Sequence, residues 1–431
     1  MTLSDVKMTT YFPRIADSIL ASKLKSKGAV LIEGPKWCGK TTTAKQIAAS
    51  ALLLANPDTL RQSIRMMELQ ADELLDGAVP RLIDEWQTIP QIWDAVRNMI
   101  DERSSTGQFI LTGSAVPADT SEIIHTGTGR FTSIRMRPMS LFESGESNGE
   151  IRLSNLFTAP EKLHGKNTLN LNNLAYLICR GGWPGAIRLD EESSLEQAFD
   201  YVDAVINSDI SRADGVTRKP ERTARIMKSL ARNQGTQAPA TLIRDDISRN
   251  EAASLNEDTV SSYISALKMI FVIEDMPAWN PNLRSKTAIR TTDTRYFIDP
   301  SIASASLGLG PEDLMKDLKT FGFLFETLCV RDLRVYADTL KGSVYHYRDK
   351  SNLECDAVIH LRNGRYGLVE IKLGGNTLIE EGAKNLLSVA KKIDTEKMNS
   401  PAFLMVLVGT GEFAYRRNDG VYVVPVGCLG P

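Results

Sequence analysis

The chain has 431 residues, of which 42% are apolar and 24% charged, and its formal net charge is −2. This composition excludes disordered and fibrous classes and argues against a protein that coats nucleic acid by bulk charge, and the length predicts two or three domains. No apolar run is long enough to cross a bilayer, the first residues lack a signal-peptide core, and the five cysteines form no CxxC pair, so we expect a cytoplasmic protein without disulfides or zinc.

Residues 1 to about 145 alternate between strand and helix patterns. Apolar residues at helical spacing predict a helix over Pro90–Arg103. Alternation of this kind is typical of an α/β fold, in which helices cover both faces of a parallel sheet. The predicted strands are Ala29–Glu33, Ala51–Ala55, Pro80–Asp84, Phe109–Thr112 and Phe131–Met136.

A nucleotide-binding loop of the form GxxxxGK[ST] follows the first predicted strand and precedes a helix, which is the context that distinguishes such a P-loop from a chance glycine-rich turn. The loop amides can surround phosphates, Lys40 can reach the β- and γ-phosphate oxygens, and the Thr41 hydroxyl can ligate Mg²⁺. The chain is therefore predicted to be an NTPase. The candidate nucleotide-binding residues are Gly34, Pro35, Lys36, Trp37, Cys38, Gly39, Lys40, Thr41 and Thr42.

Two carboxylates end the apolar strand Leu82-Ile83-Asp84-Glu85. We predict that Asp84 holds Mg²⁺ and that Glu85 is the base that orients the attacking water, although two solvated acids at a strand end are the alternative. Thr112 and Ser114 follow another buried strand, predicted to lie next to the first and third strands, and either is a candidate sensor of the γ-phosphate. No guanine-specific NKxD motif is found, so ATP is the predicted nucleotide.

Three arginines near the fifth strand are candidates for stabilising transition-state charge on a neighbouring subunit's nucleotide. Arg130 follows a glycine, and Arg135 and Arg137 are predicted on one face of the strand. This role would require a homo-oligomer. The alternative for Arg130 is a solvated or DNA-facing cationic edge.

The middle of the chain is predicted to be helical from about 160 to 235, after a polar stretch, Glu143–Asn155, that we interpret as a surface excursion or linker at a domain boundary. Helices over Thr241–Ser248 and Asp258–Met269 and a strand over Phe271–Trp279 then have the order of a winged helix. Basic residues could contact DNA phosphates without reading base sequence; the alternative is a solvated face, with the winged helix acting as a lid or protein contact. The basic residues are Arg212, Arg218, Lys219, Arg222, Arg225, Lys228 and Arg232.

Beyond Pro311 the pattern predicts an amphipathic helix, Phe321–Val335, and a separate set of strands. Four residues of this part, Glu326, Asp356, Glu370 and Lys372, could hold one or two Mg²⁺ ions with a lysine that positions a hydrolytic water. Their order resembles the restriction-endonuclease-like fold, in which Cys355 here replaces a frequent proline. A surface ion pair between Asp356 and Lys372, or a fold that binds without cleaving, are the alternatives. The predicted strands are Val344–Arg348, Cys355–Leu361, Gly367–Lys372, Phe403–Val408 and Val421–Val426.

These motifs together resemble the prokaryotic AAA-type ATPase family that carries a carboxy-terminal domain of unknown function. The resemblance rests on Gly34–Thr41, Leu82–Gln87, Leu111–Ser114, Gly129-Arg130 and Pro138–Glu143, and it extends to Arg180–Pro184 and Asn207–Ile210, which are similar to signatures of the family's middle region.

The resemblance implies an AAA+ ATPase core over residues 1–150, a helical lid and winged-helix region over 151–300, and a restriction-endonuclease-like domain over 311–431. We therefore expect an ATP-hydrolysing protein that uses Mg²⁺, acts on or with DNA, and carries a nuclease-like terminal domain. A nucleotide-gated switch that binds partners without cutting, and a defence-associated module in which ATP controls a nuclease, are the alternatives.

Overall fold

A computed structural model of the chain describes residues 11–115, 123, 125–158, 161, 163–250, 255–281 and 292–431. The chain divides into two compact units, Met1–Met136 and Arg137–Pro431. Within the described residues, no helix has the length and apolar character needed to cross a membrane.

The first unit is built on a five-stranded parallel sheet with strand order β2-β3-β4-β1-β5. The predicted α/β fold is thus confirmed, and β4 lies between β1 and β3 as expected. In chain order the elements are α1 (Ile15–Leu24), β1 (Ala29–Glu33), α2 (Lys40–Lys45), β2 (Ser50–Leu53), α3 (Pro57–Leu69), α4 (Ala71–Leu75), β3 (Arg81–Asp84), α5 (Ile92–Arg103), β4 (Phe109–Gly113) and β5 (Phe131–Arg135).

Two hydrophobic clusters cover the two faces of this sheet. Side chains alternate along a strand, so Ala29 and Leu31 of β1 pack in the cluster that includes α5, while Val30 and Ile32 pack in the cluster that includes α1 and α2. This burial on both faces explains why the strands are continuous apolar runs. Because β1, β3 and β4 are parallel, their carboxyl ends lie at one edge of the sheet.

Helices fill the first part of the second unit, and a two-stranded antiparallel hairpin follows them. Of these elements, α12, α13 and β7 have the helix, helix, strand order that the sequence predicts for a winged helix. The elements are α6 (Leu141–Ser144), β6 (Ile151–Arg152), α7 (Leu153–Leu156), α8 (Leu171–Arg180), α9 (Glu191–Ala204), α10 (Ile210–Arg212), α11 (Pro220–Arg232), α12 (Ala240–Asn250), α13 (Glu257–Met269), β7 (Ile273–Met276) and β8 (Thr294–Phe297).

The stretch predicted as a surface excursion or linker, residues 143–155, is instead a packed part of the second unit. Its strand β6 pairs in parallel with the last strand of the chain, and Ser147 Oγ donates to the Leu429 carbonyl at 2.7 Å. Ile151 and Leu153 are buried. Ser147 thus satisfies a backbone group of a distant strand, which only the tertiary structure brings near.

A six-stranded mixed sheet forms the rest of the second unit, with strand order β13-β14-β12-β11-β10-β9. Strands β9 to β11 are antiparallel, whereas β11, β12 and β14 run parallel. Helices α16 and α17 both contact β10 and β11. The elements are α14 (Pro300–Leu307), α15 (Pro311–Lys316), α16 (Leu318–Thr339), β9 (Gly342–Arg348), β10 (Glu354–Leu361), β11 (Tyr366–Lys372), α17 (Asn376–Lys392), β12 (Phe403–Val408), β13 (Tyr415–Arg416), β14 (Tyr422–Pro425) and β15 (Leu429–Gly430).

A buried polar network joins α16 to the segments Pro138–Glu143 and Arg180–Pro184. Arg331 donates to Asp299 at 2.8 Å and pairs with Asp332. Oδ2 of Asp299, which Arg331 contacts, also accepts the N–H of Gly182, and the other oxygen of Asp332 accepts the N–H of Leu141. Because every partner is hydrogen-bonded, these charges are tolerated away from water.

Candidate functional site

The predicted phosphate loop lies between β1 and α2 and is held in an open, curved conformation. Trp37 and Gly39 have positive φ angles of 66° and 99°. Gly34 also has positive φ, and a Cβ atom there would lie 2.0 Å from the Met136 carbonyl oxygen, so only glycine fits. Cys38 packs beneath the loop, where its thiol contacts the same carbonyl at 3.6 Å. The indole of Trp37 is 51% exposed.

Lys40 points back into the curve of this loop. Its ammonium group donates to the carbonyl oxygens of Gly34 and Pro35 at 2.9 and 2.7 Å. The side chain is buried, so the charge is compensated by the loop's own carbonyl groups. A bound phosphate would offer the ammonium stronger, charged acceptors at the same place.

Two threonines converge on Asp84 at the carboxyl edge of the sheet. The hydroxyls of Thr41 in α2 and Thr112 in β4 donate to the same Oδ1 of Asp84, at 2.5 and 2.6 Å. Thr112 is the direct neighbour of Asp84 in the β3–β4 register. The structure thus places together the two predicted Mg²⁺-holding groups and one of the two candidate sensors.

Glu85 begins the turn after β3 and has φ 59°, a left-handed conformation that is uncommon for a residue with a side chain. Its Oε2 accepts hydrogen bonds from Ser114 Oγ, at 2.9 Å, and from the side-chain amide of Gln87. Both donors therefore fix the direction of the carboxylate. Gln87 belongs to the quoted motif Leu82–Gln87, but sequence reasoning gave it no role.

Arg130 lies at the opposite edge of the sheet from the phosphate loop. It precedes β5, its carbonyl accepts the Gly28 N–H before β1, and its guanidinium pairs with Asp101 at 2.7 Å. The strands separate it from the loop by about 15 Å, which rules out contact with a nucleotide bound in its own loop. The arginine-finger role can only be one in trans, and it stays a prediction.

The other two arginines are engaged within the chain. Arg135 faces Glu33 across β1 and β5 at 3.6 Å. Arg137 lies beyond the end of β5 rather than on its face, and it pairs with Glu274 and Asp338 at 2.6 and 3.0 Å. Burial would lower the pKa of the Arg137 guanidinium, but the two carboxylates outweigh burial and raise it.

The basic segment 212–232 is less uniform than its sequence suggests. Arg218 is buried and forms two hydrogen bonds to Asp214, and Arg232 pairs with Asp246 at 2.7 Å. Both arginines belong to the seven basic residues that the sequence suggests could contact DNA phosphates. Part of the cationic charge expected to face DNA is therefore neutralised inside the unit.

In the second unit, the structure brings Asp356, Glu370 and Lys372 together. Lys372 Nζ lies 2.8 Å from Glu370 Oε2 and 3.5 Å from Asp356 Oδ2, while the Ile371 N–H donates to Asp356 at 2.7 Å. Glu326 on α16 interacts electrostatically with all three groups. The four predicted residues thus form one cluster, which we call the carboxylate cluster.

Burial shapes the protonation of this cluster. Desolvation, followed by the negative charge of Asp356, raises the pKa of Glu326 and that of Glu370 to about 8. Desolvation opposes the charge on Lys372, but the attraction of Asp356 and Glu370 outweighs it and raises the pKa of the ammonium group. Near neutral pH, the cluster therefore holds protons that solvated carboxyl groups would release.

Two residues that sequence reasoning missed support the cluster. The Tyr296 hydroxyl, from β8, donates to Glu326 Oε1 at 2.6 Å, and the Asn385 amide, from α17, donates to Glu370 Oε1 at 2.7 Å. No local pattern marks either residue. Asn385 lies on the helix directly after β11, and this position was the one available signal.

The carboxylate cluster does not fit a metal ion as it is arranged. The ammonium group of Lys372 lies between Asp356 and Glu370, where a cation shared by the two carboxylates would lie. Across the part of the chain that the structure describes, no group of three His, Cys, Asp or Glu side chains is placed to hold a metal. Metal binding here would require Lys372 to move.

Comparison with known protein families separates the chain into three matched segments. Residues 26–144 match the family model for an AAA domain. This match supports the resemblance to AAA-type ATPases and an ATPase-type function. Residues 171–313 and 321–429 match two domains of unknown function, DUF8612 and DUF4143. The restriction-endonuclease-like character of the terminal part stays a prediction.

Two curated relatives are similar over most of the chain. They are the uncharacterized proteins Mb2031c of Mycobacterium bovis and Rv2008c of Mycobacterium tuberculosis, each 22% identical over 419 residues that span 96% of this chain and 83% of the relative. Neither name states an activity.

Two solved structures align at low similarity. The Aeropyrum pernix ORC1 protein in complex with DNA covers 70% of this chain, and 94% of its own length is aligned, at 11% identity and a TM-score of 0.26. The Pyrococcus furiosus Hef helicase domain gives 97% and 94% coverage, 11% identity and a TM-score of 0.20. Scores of this size do not establish a common fold.

Proposed function

We propose that the first unit binds ATP in the loop Gly34–Thr41 and hydrolyses it, with Glu85 as the base. The observation that carries the proposal is that the hydroxyls of Thr41 and Thr112 converge on Asp84 beside the loop, and that Glu85 is the next residue after Asp84. Strands β1, β3 and β4 end at the same edge, so a loop-bound phosphate and a water near Glu85 would be neighbours.

Each residue has a distinct task in this proposal. Lys40 exchanges its loop carbonyl acceptors for the β- and γ-phosphate oxygens. Glu85, directed by Ser114 and Gln87, orients the attacking water and accepts its proton. Because both donors hold the carboxylate before the substrate arrives, little reorganisation is needed at the moment of reaction.

The residues at Asp84 fit a magnesium ion. Thr41 and Asp84 supply a hydroxyl and a carboxylate oxygen 2.5 Å apart, and oxygen ligands are those that Mg²⁺ prefers. When bound, Mg²⁺ would neutralise charge on the phosphate groups. We assign Thr41 and Asp84 as the residues that would hold it.

The test compares Glu85→Gln, Lys40→Ala and the matched control Glu102→Gln, which changes an exposed glutamate of α5. Glu85→Gln should keep ATP affinity within about threefold and lower kcat by at least about 100-fold, because only proton acceptance is lost. Lys40→Ala should lose binding, and Glu102→Gln should behave as the wild type. Wild-type turnover by Glu85→Gln would refute the assignment.

As a second candidate function, we infer that the carboxylate cluster acts on a nucleic-acid backbone. The observation that favours it is that the Lys372 ammonium group lies 2.8 Å from Glu370 and 3.5 Å from Asp356. Burial raises the pKa of Glu370, which would not occur in an ion pair on the surface. DNA is the proposed substrate, and exposed basic residues of the segment 212–232, such as Arg212 and Lys219, would contact its phosphates.

This second candidate is tested on the full chain with supercoiled plasmid, Mn²⁺ and ATP. Any Mn²⁺ that binds must first displace the Lys372 ammonium group from between the two carboxylates. Asp356→Asn should then weaken binding in a calorimetric titration by about tenfold or more, because the metal loses a charged ligand. Lys372→Ala should keep Mn²⁺ binding and lose cleavage. If a folded wild type binds no Mn²⁺ at millimolar concentration and leaves the plasmid intact, the cluster is structural.

A further inference from the structure

A buried arginine ahead of α1 contacts the phosphate loop from the protein side. Arg14 is 7% exposed, and its Nη1 donates to the carbonyl oxygen of Cys38 at 2.7 Å. Its own backbone N–H donates to Asp17 Oδ2 at 2.8 Å, and Asp17 Oδ1 accepts the Tyr11 hydroxyl at 2.6 Å. The backbone of Arg14 is therefore fixed on α1, and its guanidinium reaches a loop 24 residues further along the chain.

The contact has a geometric consequence for the next amide. The Cys38 carbonyl and the Gly39 N–H belong to one planar trans peptide, so they point in opposite directions. Because Arg14 draws the carbonyl towards the protein interior, the Gly39 N–H is directed to the other side of the loop. In a phosphate loop, that side is where backbone amides meet the phosphate oxygens.

This peptide group needs such a constraint more than its neighbours do. Gly39 has φ 99°, in a region where glycine moves freely between conformations. A rotation of the Cys38–Gly39 peptide would turn the N–H away from the phosphate and present a carbonyl oxygen in its place. A charged donor on the carbonyl opposes that rotation more strongly than a neutral one would.

We propose that Arg14 is a positioning residue for the nucleotide: it holds the Cys38–Gly39 peptide so that the Gly39 N–H faces the β-phosphate of a nucleoside di- or triphosphate. This inference rests on the function proposed above for the same loop. Arg14 is buried and acts through the Cys38 carbonyl, so its contribution is expressed through binding rather than through the chemical step.

The experiment measures MgADP affinity by calorimetry, and KM and kcat for MgATP, in full-length Arg14→Ala and Arg14→Lys. Arg61→Ala, which removes an arginine that is exposed on α3, is the matched control. Arg14→Ala should raise the Kd for MgADP and the KM for MgATP together by about tenfold or more, with kcat changed less than about threefold. Arg14→Lys should restore part of the affinity, and Arg61→Ala should match the wild type.

A purely structural role predicts a different pattern. The melting temperature and kcat per total protein would then fall, because fewer chains are folded, while KM would stay at the wild-type value. That result, or wild-type MgADP affinity in a folded Arg14→Ala, overturns the inference. If Arg14→Ala does not fold, Arg14→Gln is measured in its place. If the wild type does not bind MgADP, the proposed function is overturned as well. If the wild type binds MgADP, Lys40→Ala abolishes binding and Arg14→Ala does not weaken it, only this inference is overturned.

Discussion

Replacing Glu326 by glutamine should stabilise the protein at alkaline pH and leave it unchanged at acidic pH. Burial and then Asp356 raise the pKa of Glu326 from an ordinary 4.5 to about 8. Below about pH 4.5 the carboxyl group is protonated in both the folded and the unfolded chain. Between pH 4.5 and 8, the unfolded chain releases a proton that the folded chain keeps, so the free energy of unfolding falls as pH rises.

The size of this effect follows from the two pKa values. A difference between 4.5 and about 8 corresponds to at most about 5 kcal/mol lost by pH 9. Burial also raises the pKa of Glu370, which repels Glu326, so removing one group relieves only part of the repulsion, and we expect a gain of about 1 to 3 kcal/mol. Glutamine keeps an acceptor oxygen for the Tyr296 hydroxyl, which preserves the hydrogen bond.

The assay is urea unfolding of the wild type and Glu326→Gln between pH 4.5 and 9, with Glu102→Gln as an exposed control. The difference between Glu326→Gln and wild type should be near zero at pH 4.5 and should reach its plateau above pH 8. A gain of equal size at all pH values would reflect packing and not ionisation. A loss of stability at pH 9 would refute the reasoning, because it would mean that Glu326 is ionised and favourably paired in the folded protein.

Two further predictions concern single positions. If Arg130 acts in trans, ATPase activity per subunit should rise with protein concentration. Mixing Arg130→Ala subunits with Glu85→Gln subunits should restore activity at mixed interfaces. If a monomer shows activity that does not depend on its concentration, Arg130 has no role in trans. Gly182→Ala should destabilise the protein by more than about 2 kcal/mol in urea unfolding, because a Cβ atom there would lie 2.1 Å from the Met139 carbonyl oxygen. The control is Gly322→Ala in α16, which has open space around it and should be neutral or slightly stabilising.

The nucleotide site could be predicted from sequence because its parts are local. Eight consecutive residues, Gly34–Thr41, define the loop. Asp84 ends the apolar strand β3 and Glu85 follows it, so the parallel sheet alone brings this strand end to the edge where the loop lies. The role of Gln87 could not be predicted in this way. The side-chain amide of Gln87 reaches Glu85 because Glu85 adopts a left-handed backbone conformation, and no residue type in the turn predicts that conformation.

Errors arose where a residue's partner lies far away in the chain. Residues 143–155 have the composition of a linker, but their partner strand is β15, so composition and burial disagree. Arg137 is predicted on one face of the fifth strand, but it lies beyond the end of β5 and pairs with Glu274 and Asp338. In both cases, polar residues that would be solvated in a short segment satisfy groups that are buried by the tertiary fold.

Contacts with α16 explain the residue types of two motifs, Pro138–Glu143 and Arg180–Pro184, for which the sequence predicts no chemical role. Gly182 lies so close to Met139 that a larger residue would clash, and its N–H is bound by Asp299, which Arg331 holds. Asp332, next to Arg331, holds the N–H of Leu141. Glu326 lies on the same helix, less than two turns earlier. The backbone contacts that fix these two motifs therefore also fix α16, the helix that carries Glu326 of the carboxylate cluster. Both motifs thus need their residue types for structure and take no part in the chemistry.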